Sequence, residues 1–347
     1  MTSENIILNP LPVRTWNSLK MNEANFSGTI PTVSCVPEIK KQPDGIRIAH
    51  NESLNGVKSA AGEELGAFIK EVDSVLIESD CESDSTVLDY NFDGGKTARL
   101  FLHAKENAVL PVSVIMAGEG TAVLEIKIIA DAGATVDLSI VQAVSNGSDV
   151  ITDIGCTCER NSTFNLTKLE LGGKQEYVAV SVDLSGEHSS FSANAGYRVK
   201  TAQSLDMNYV VRHTGKKTES NILASGILEN ESSKIFRGTI DLIKGCAGAK
   251  GTENEDILLL GDNQVNQTIP LILCNEEDVE GNHGATIGRL DENIIFYLGS
   301  RGISARAAED IIAHAKLDAV ISHIPDEDVR NLAHSLISDE TDGGEDA

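Results

Sequence analysis

Between Thr86 and Ile272 the sequence is a succession of short β-branched and aliphatic runs, and this limits the fold more than any other feature. The runs cover 109–115, 122–129, 135–144, 164–171, 178–184, 205–211 and 235–243. Turn formers separate them, among them Gly118-Glu-Gly120, Ala132-Gly-Ala134, Gly172-Gly173, Asn194-Ala-Gly196, His213-Thr-Gly215 and Glu229-Asn-Glu231. Several runs alternate cleanly, as in Val178-Ala-Val-Ser-Val182 and Val136-Asp-Leu-Ser-Ile140. A period of two buries one face of a strand and leaves the other to solvent, and almost no helical period interrupts the stretch. The body is therefore expected to be all-β. Aromatic residues make up only 4% of the chain, fewer than a sandwich or barrel usually carries. Short strands with small residues at the corners suit a β-solenoid, in which each coil stacks on its neighbour. No strict repeat is visible, so pattern alone leaves a parallel β-helix and a sandwich both open.

The flanks differ. Residues 1–85 are broken by Pro10, Pro12, Pro31, Pro37 and Pro43 and contain one helix-like segment, 60–70, so a small α+β lead-in is expected before a β core at 86–288. Past Arg289 the period becomes helical, and 289–338 is expected to be a helical domain. Ser304 is placed to cap a first helix whose stripe would be Ala308, Ile311, Ile312, Ala315 and Ala319. Pro325 suits the first turn of a second helix, with Asp326, Glu327 and Asp328 at its positive end and Val329, Leu332, Ala333 and Leu336 as its stripe. The acidic tail 339–347 is expected to be disordered.

At 347 residues the chain can bury a substantial core. A net charge of −25 argues against binding to nucleic acid or to an anionic membrane. No apolar run is long enough to span a bilayer. The first residues lack the basic and apolar regions of a signal peptide, so a cytoplasmic protein with reduced cysteines is expected.

Three segments invite a chemical reading. Gly245-Cys-Ala-Gly-Ala-Lys250-Gly251-Thr252 has a phosphate-loop look, but its lysine and glycine are transposed and no helix follows, so it reads as a turn and no nucleotide is expected on this chain. Cys156-Thr-Cys158 lacks the Cys-X-X-Cys spacing of zinc and redox sites, and two thiols on one strand face read better as core packing. The densest set of metal-ligand types is Cys274, Glu276, Glu277, Asp278, Glu280 and His283, where glycines at 281 and 284 flank the imidazole. Cys274, Glu280 and His283 are the candidate ligands. There is no nucleophile elbow and no His-Glu-X-X-His motif.

Residues in the last third resemble the SufB/SufD family of iron–sulfur cluster assembly proteins. They are Phe236-Arg-Gly-Thr-Ile240, Asp256-Ile-Leu-Leu-Leu-Gly-Asp262, Ile269-Pro270, Asp278-Val-Glu-Gly-Asn-His283-Gly-Ala-Thr-Ile-Gly-Arg289-Leu290, Phe296-Tyr-Leu298 and Ser300-Arg-Gly-Ile-Ser304. An early Leu11-Pro-Val-Arg14-Thr-Trp16 is similar to the family's opening segment. The resemblance implies a right-handed parallel β-helix with a C-terminal helical domain that docks a SufC-type ATPase. Arg301, Gly302, Ser304, Ile311 and Ile312 would lie in that docking region. Two subunits would pair, either two copies or this chain with a SufB/SufD paralogue, and a transient iron–sulfur cluster would form at their interface. The chain itself would be a non-enzymatic scaffold. His283 falls on the histidine of the SufD-type His-Gly-Ala-Thr motif. Where SufB-type chains carry a cysteine after Gly-Asp, this one reads Asn263-Gln264; their glutamate after the motif histidine is Gly284, and a cysteine common in SufD-type chains is Gly281. Cys274 matches no family ligand. The competing reading is a β-helix that binds or modifies polysaccharide, which would call for export and a groove rich in carboxylates and arginine.

Overall fold

A computed structural model describes residues 4–15 and 17–342, so Trp16 of the Leu-Pro-Val-Arg-Thr-Trp segment and residues 343–347 lie outside the described residues. The molecule is a parallel β-solenoid of about eight turns, as the resemblance implied. An antiparallel hairpin, β1 (Glu4–Leu8) and β2 (Ala24–Gly28), precedes it, followed by β3 (Glu38–Lys41), β4 (Ile46–His50) and α1 (Glu63–Ile69). The coils then alternate between two sheets. One sheet takes β5 (Ser74–Ser79), β7 (Lys96–Ala104), β9 (Ala122–Ala130), β11 (Asp149–Cys158), β13 (Gln175–Leu184), β15 (Ser204–His213), β17 (Ser233–Leu242) and β19 (Val265–Cys274). The other takes β6 (Thr86–Asn91), β8 (Val109–Ala117), β10 (Thr135–Gln142), β12 (Thr163–Glu170), β14 (Ser190–Val199), β16 (Glu219–Leu228), β18 (Lys250–Leu259) and β20 (Glu280–Gly288). At the first coil, β4 and β3 close the two sheets with antiparallel pairing.

Each parallel pair is in register, so residues of like parity stack up the interior. The early interior is mostly apolar: Leu100, Leu102, Leu110, Val112, Val114, Ile126, Ile128 and Ile140 are completely buried, beside the hydroxyls of Thr86 and Tyr90. Corners turn through left-handed residues, such as Asn107 and Asn161, whose backbone N–H groups bond to the next coil's corner at Ala132 and Glu187. The tripeptide Asn194-Ala-Gly196, which reads as a turn in sequence, lies inside β14 instead. Gly196 is there because a helix crosses it: a methyl would meet Val320 Cβ at 3.2 Å.

That helix is α3 (Ala305–Ile321), which follows α2 (Glu292–Ser300) and precedes α4 (Glu327–Asp342). α4 therefore runs into the segment expected to be a disordered tail. α3 and α4 lie on the outer face of the second sheet, where Ala313, Leu317, Ile321, Val329, Ala333 and Ile337 share a core with Val141, Leu169, Ile227 and Leu258. The buried stripe of α3 is Ala308, Ala313, Leu317, Val320 and Ile321, rotated from the expected one, which leaves Ile311 53% exposed. Alanine-rich α3 is apolar on more than one side, so its sequence does not fix the phase. Pro325 stands one position before the cap, and Asp326 accepts from the backbone N–H groups of Asp328 and Val329. Burial of Asp326 raises its pKa, but the Lys41 ammonium at 3.0 Å and those two amides outweigh it and hold the carboxyl below its usual range.

The opening segment is pinned to the other sheet. Arg237, fully buried, donates from Nε to the Met21 carbonyl at 2.7 Å and pairs with Asp206, which also accepts from Asn9. This gives a physical role to the arginine of Phe236-Arg-Gly.

Candidate functional site

The last coil has no coil above it. β19 and β20 are the terminal strands of the two sheets, and their outer edges pair with no strand among the described residues. Nearly all of β20 is exposed, as are Val265 (50%), Ile272 (41%) and Ile287 (49%).

His283 sits on β20 in register with Glu253 of β18. Glu253 belongs to the inward row, since a methyl on Gly238 in the opposite sheet would overlap its carboxylate. His283 is therefore on the inward row too, at the open end. Beneath it lies a buried polar group that the sequence reading missed. Lys234 pairs with Glu255, which also accepts from Thr268 Oγ1 at 2.6 Å and from the Tyr197 hydroxyl at 3.4 Å. Lys234, Glu253 and Glu255 are all at most 2% exposed. Gly226 makes room for the Tyr197 ring, which a methyl there would overlap. Burial pushes Glu253 up to about 7, helped by the neighbouring Glu255 charge and opposed by Lys234. Burial lowers Lys234 and raises Tyr197, both against their ordinary values. A signal was present: Glu253 and Glu255 share parity with Ile257, and Lys234 shares parity with Phe236 and Ile240, so each charge falls in an apolar row.

The candidate ligands do not converge. Glu280 lies on the outward face of β20, bonded to Lys250 at 2.9 Å. Cys274 ends β19 and donates to the Glu276 carbonyl at 3.1 Å, at a corner that also holds buried Cys246. Among the described residues no group of three or more His, Cys, Asp or Glu side chains is placed to hold a metal. Cys156 and Cys158 point into the core with their sulfurs 3.7 Å apart, and burial raises the Cys156 thiol pKa. Gly245–Ala249 forms the corner before β18, which starts at Lys250.

The docking candidates cluster around the α2–α3 turn. Arg301 caps α2 and lies over the Tyr297 ring at 5.3 Å, Gly302 has φ +86°, and Ser304 Oγ accepts from the Ala307 N–H at 3.2 Å. Ile311 faces solvent, while Ile312 is half-buried against the helix–sheet core. Phe296 is 79% exposed and Tyr297 57%. Among the described residues no helix is long and apolar enough to cross a membrane.

The family model for the SufBD core domain of the SUF system of FeS cluster assembly matches residues 89–316, well over half of the chain. The chain belongs to the SufB/SufD family. A 125-residue segment is 32% identical to the iron–sulfur cluster assembly protein SufD of Bacillus subtilis, over 36% of this chain and 29% of that protein. Over 174 residues it is 28% identical to SufD of Escherichia coli, covering 50% of this chain and 41% of that one. A chloroplastic SufBD family protein of Arabidopsis thaliana is 27% identical over 51% of this chain and 32% of its own length. The chain thus spans less than half the length of these SufB/SufD relatives. The SufBD core match takes in β18, β20 and α2, so it includes the open end and the His283 motif.

Proposed function

We propose that this protein is a non-enzymatic scaffold for iron–sulfur cluster assembly, pairing with a second subunit through the open end of its solenoid and worked by a SufC-type ATPase docked on its helices. The observation that carries this reading is the unfinished last coil. Two unpaired sheet edges with exposed Val265, Ile272 and Ile287 are a liability that proteins normally cover. A second copy of this chain or a SufB/SufD paralogue would cover both edges and enclose His283. Iron and sulfide are cargo there, and a transient cluster would take His283 from this subunit, with sulfide and the partner among its other ligands. Such assembly would run in the cytoplasm, where thiols stay reduced. The relatives' names, iron–sulfur cluster assembly proteins, support the process.

Docking of the ATPase is supported by Phe296, Tyr297 and Ile311, exposed apolar side chains beside Arg301, Gly302 and Ser304. Nucleotide would belong to that partner. Because α3 shares a core with the sheet, deleting the helices would uncover Val141 and Leu169, so point variants are the sounder test. Phe296→Asp and Ile311→Asp are expected to abolish co-purification with a SufC-type ATPase while the circular dichroism of the solenoid stays unchanged. Undiminished co-purification would remove the docking assignment.

A further inference from the structure

Glu253 stands out among the charges at the open end. It is 1% exposed, and its Oε1 has no hydrogen-bond partner. Its neighbour Glu255 is held by Lys234, Thr268 and Tyr197. In-register parallel strands stack paired side chains on one side of the sheet, about 4.8 Å apart. Gly281, two residues before His283, confirms that side: a methyl there would lie 2.8 Å from Ile272 Cγ2 on the inward row. His283 therefore follows Glu253 on the inward row and is exposed at the open end, and the carboxylate has room only because position 238 is glycine.

We propose that His283 and Glu253 form an incomplete, two-ligand site for a divalent first-row cation, which in the assembly reading above, on which this inference rests, is ferrous iron. One imidazole nitrogen with one carboxylate oxygen suits borderline cations such as Fe(II), Co(II) and Zn(II). Two protein ligands leave the other positions open to sulfide or to the second subunit. That openness agrees with the absence of any three-ligand group among the described residues. It also suits cargo, which a closed site would retain. An unbonded buried oxygen costs free energy, and a cation at this position would offset that cost.

The test is an anaerobic titration of the full-length protein with Co(II), a spectroscopic stand-in for Fe(II), followed by its visible absorption. Wild type is expected to bind, and His283→Ala and Glu253→Gln each to weaken binding by at least ~10-fold. Glu280→Gln, on the opposite face of β20, is expected to bind as wild type does. Should Glu253→Gln fail to fold, Glu253→Asp keeps the charge, shortens the reach and is expected to weaken binding as well. No Co(II) binding by wild type, or wild-type affinity in the Glu253 variants, overturns the proposal. Either result leaves the scaffold reading to its own test, co-purification with the ATPase.

Discussion

The early and late coils of this solenoid share a backbone and differ in what fills them. Early interior positions hold Leu100, Leu110, Val112, Ile126 and Ile140, with buried hydroxyls at Thr86 and Tyr90, and the first buried charges inside are Lys168, Glu170 and Glu176 of β12 and β13. The late interior holds His213, Lys234, Glu253 and Glu255, all at most 2% exposed. Parallel stacking requires only that residues on the same row fit one another, so both solutions fold. An apolar row is stabilised by transfer from water alone, at about 25 cal/mol per Å². A buried ion pair offers no such gain, because desolvation cancels much of the attraction. Charge on the interior rows is therefore poorly explained by stability alone, and it is not confined to the open end, since Lys168 pairs with Glu170 beside Glu176 in the middle coils.

The sharpest way to break this comparison is to remove one charge. Lys234→Ala leaves Glu255 buried without its cation and is expected to cost about 3–5 kcal/mol in urea unfolding. The joint variant Lys234→Met with Glu255→Leu is expected to recover part of that loss and to stay below wild type, because the Thr268 and Tyr197 hydroxyls lose their acceptor. On the apolar interior rows of the early coils, Leu110→Ala is expected to cost about 2–5 kcal/mol. A joint variant as unstable as Lys234→Ala would mean that the pair is structural after all.

A smaller effect is expected from pH. His213 is buried, bonded through its two nitrogens to Thr218 at 2.8 Å and Ser220 at 2.9 Å, and burial lowers its pKa from 6.5 to about 4. The unfolded chain takes up a proton near pH 6.5 and the folded one resists until about 4, so the unfolded state binds more protons within that window. Stability from this group is complete above the window and is lost as pH falls through it, by at most about 1.4 kcal/mol per pH unit. His213→Asn is expected to flatten that part of the stability–pH curve, measured by urea unfolding at several pH values. An unchanged slope would place the titration elsewhere.

Much of this architecture was legible in the sequence. The runs at 109–115, 122–129 and 205–211 are strands of the solenoid, and the motif around His283 pointed to its family. What escaped was the placement of charge. In Lys250-Gly-Thr-Glu-Asn-Glu-Asp-Ile-Leu-Leu259 four acidic or amide side chains alternate on both rows, and an isolated strand of that kind reads as solvent-facing or as a loop. Parity with Ile257 is the one sequence cue that Glu253 and Glu255 point inward, and the register with the coils on either side establishes it. The strands Ser190–Val199 and Glu219–Leu228 escaped likewise, because Ala, Ser, Asn and Gly fill positions where neighbouring coils or α3 supply the bulk. The site was half visible: a histidine on a glycine-flanked strand can be seen in sequence, while its companion from the preceding coil depends on register.

The account's central claim is that the open last coil is where clusters form, and anaerobic reconstitution with iron and sulfide in the presence of the SufC-type ATPase tests it most directly. Absorption spectra should show a cluster on wild type and little or none on His283→Ala, with both proteins equally folded. Equal cluster absorption on the two would contradict the claim.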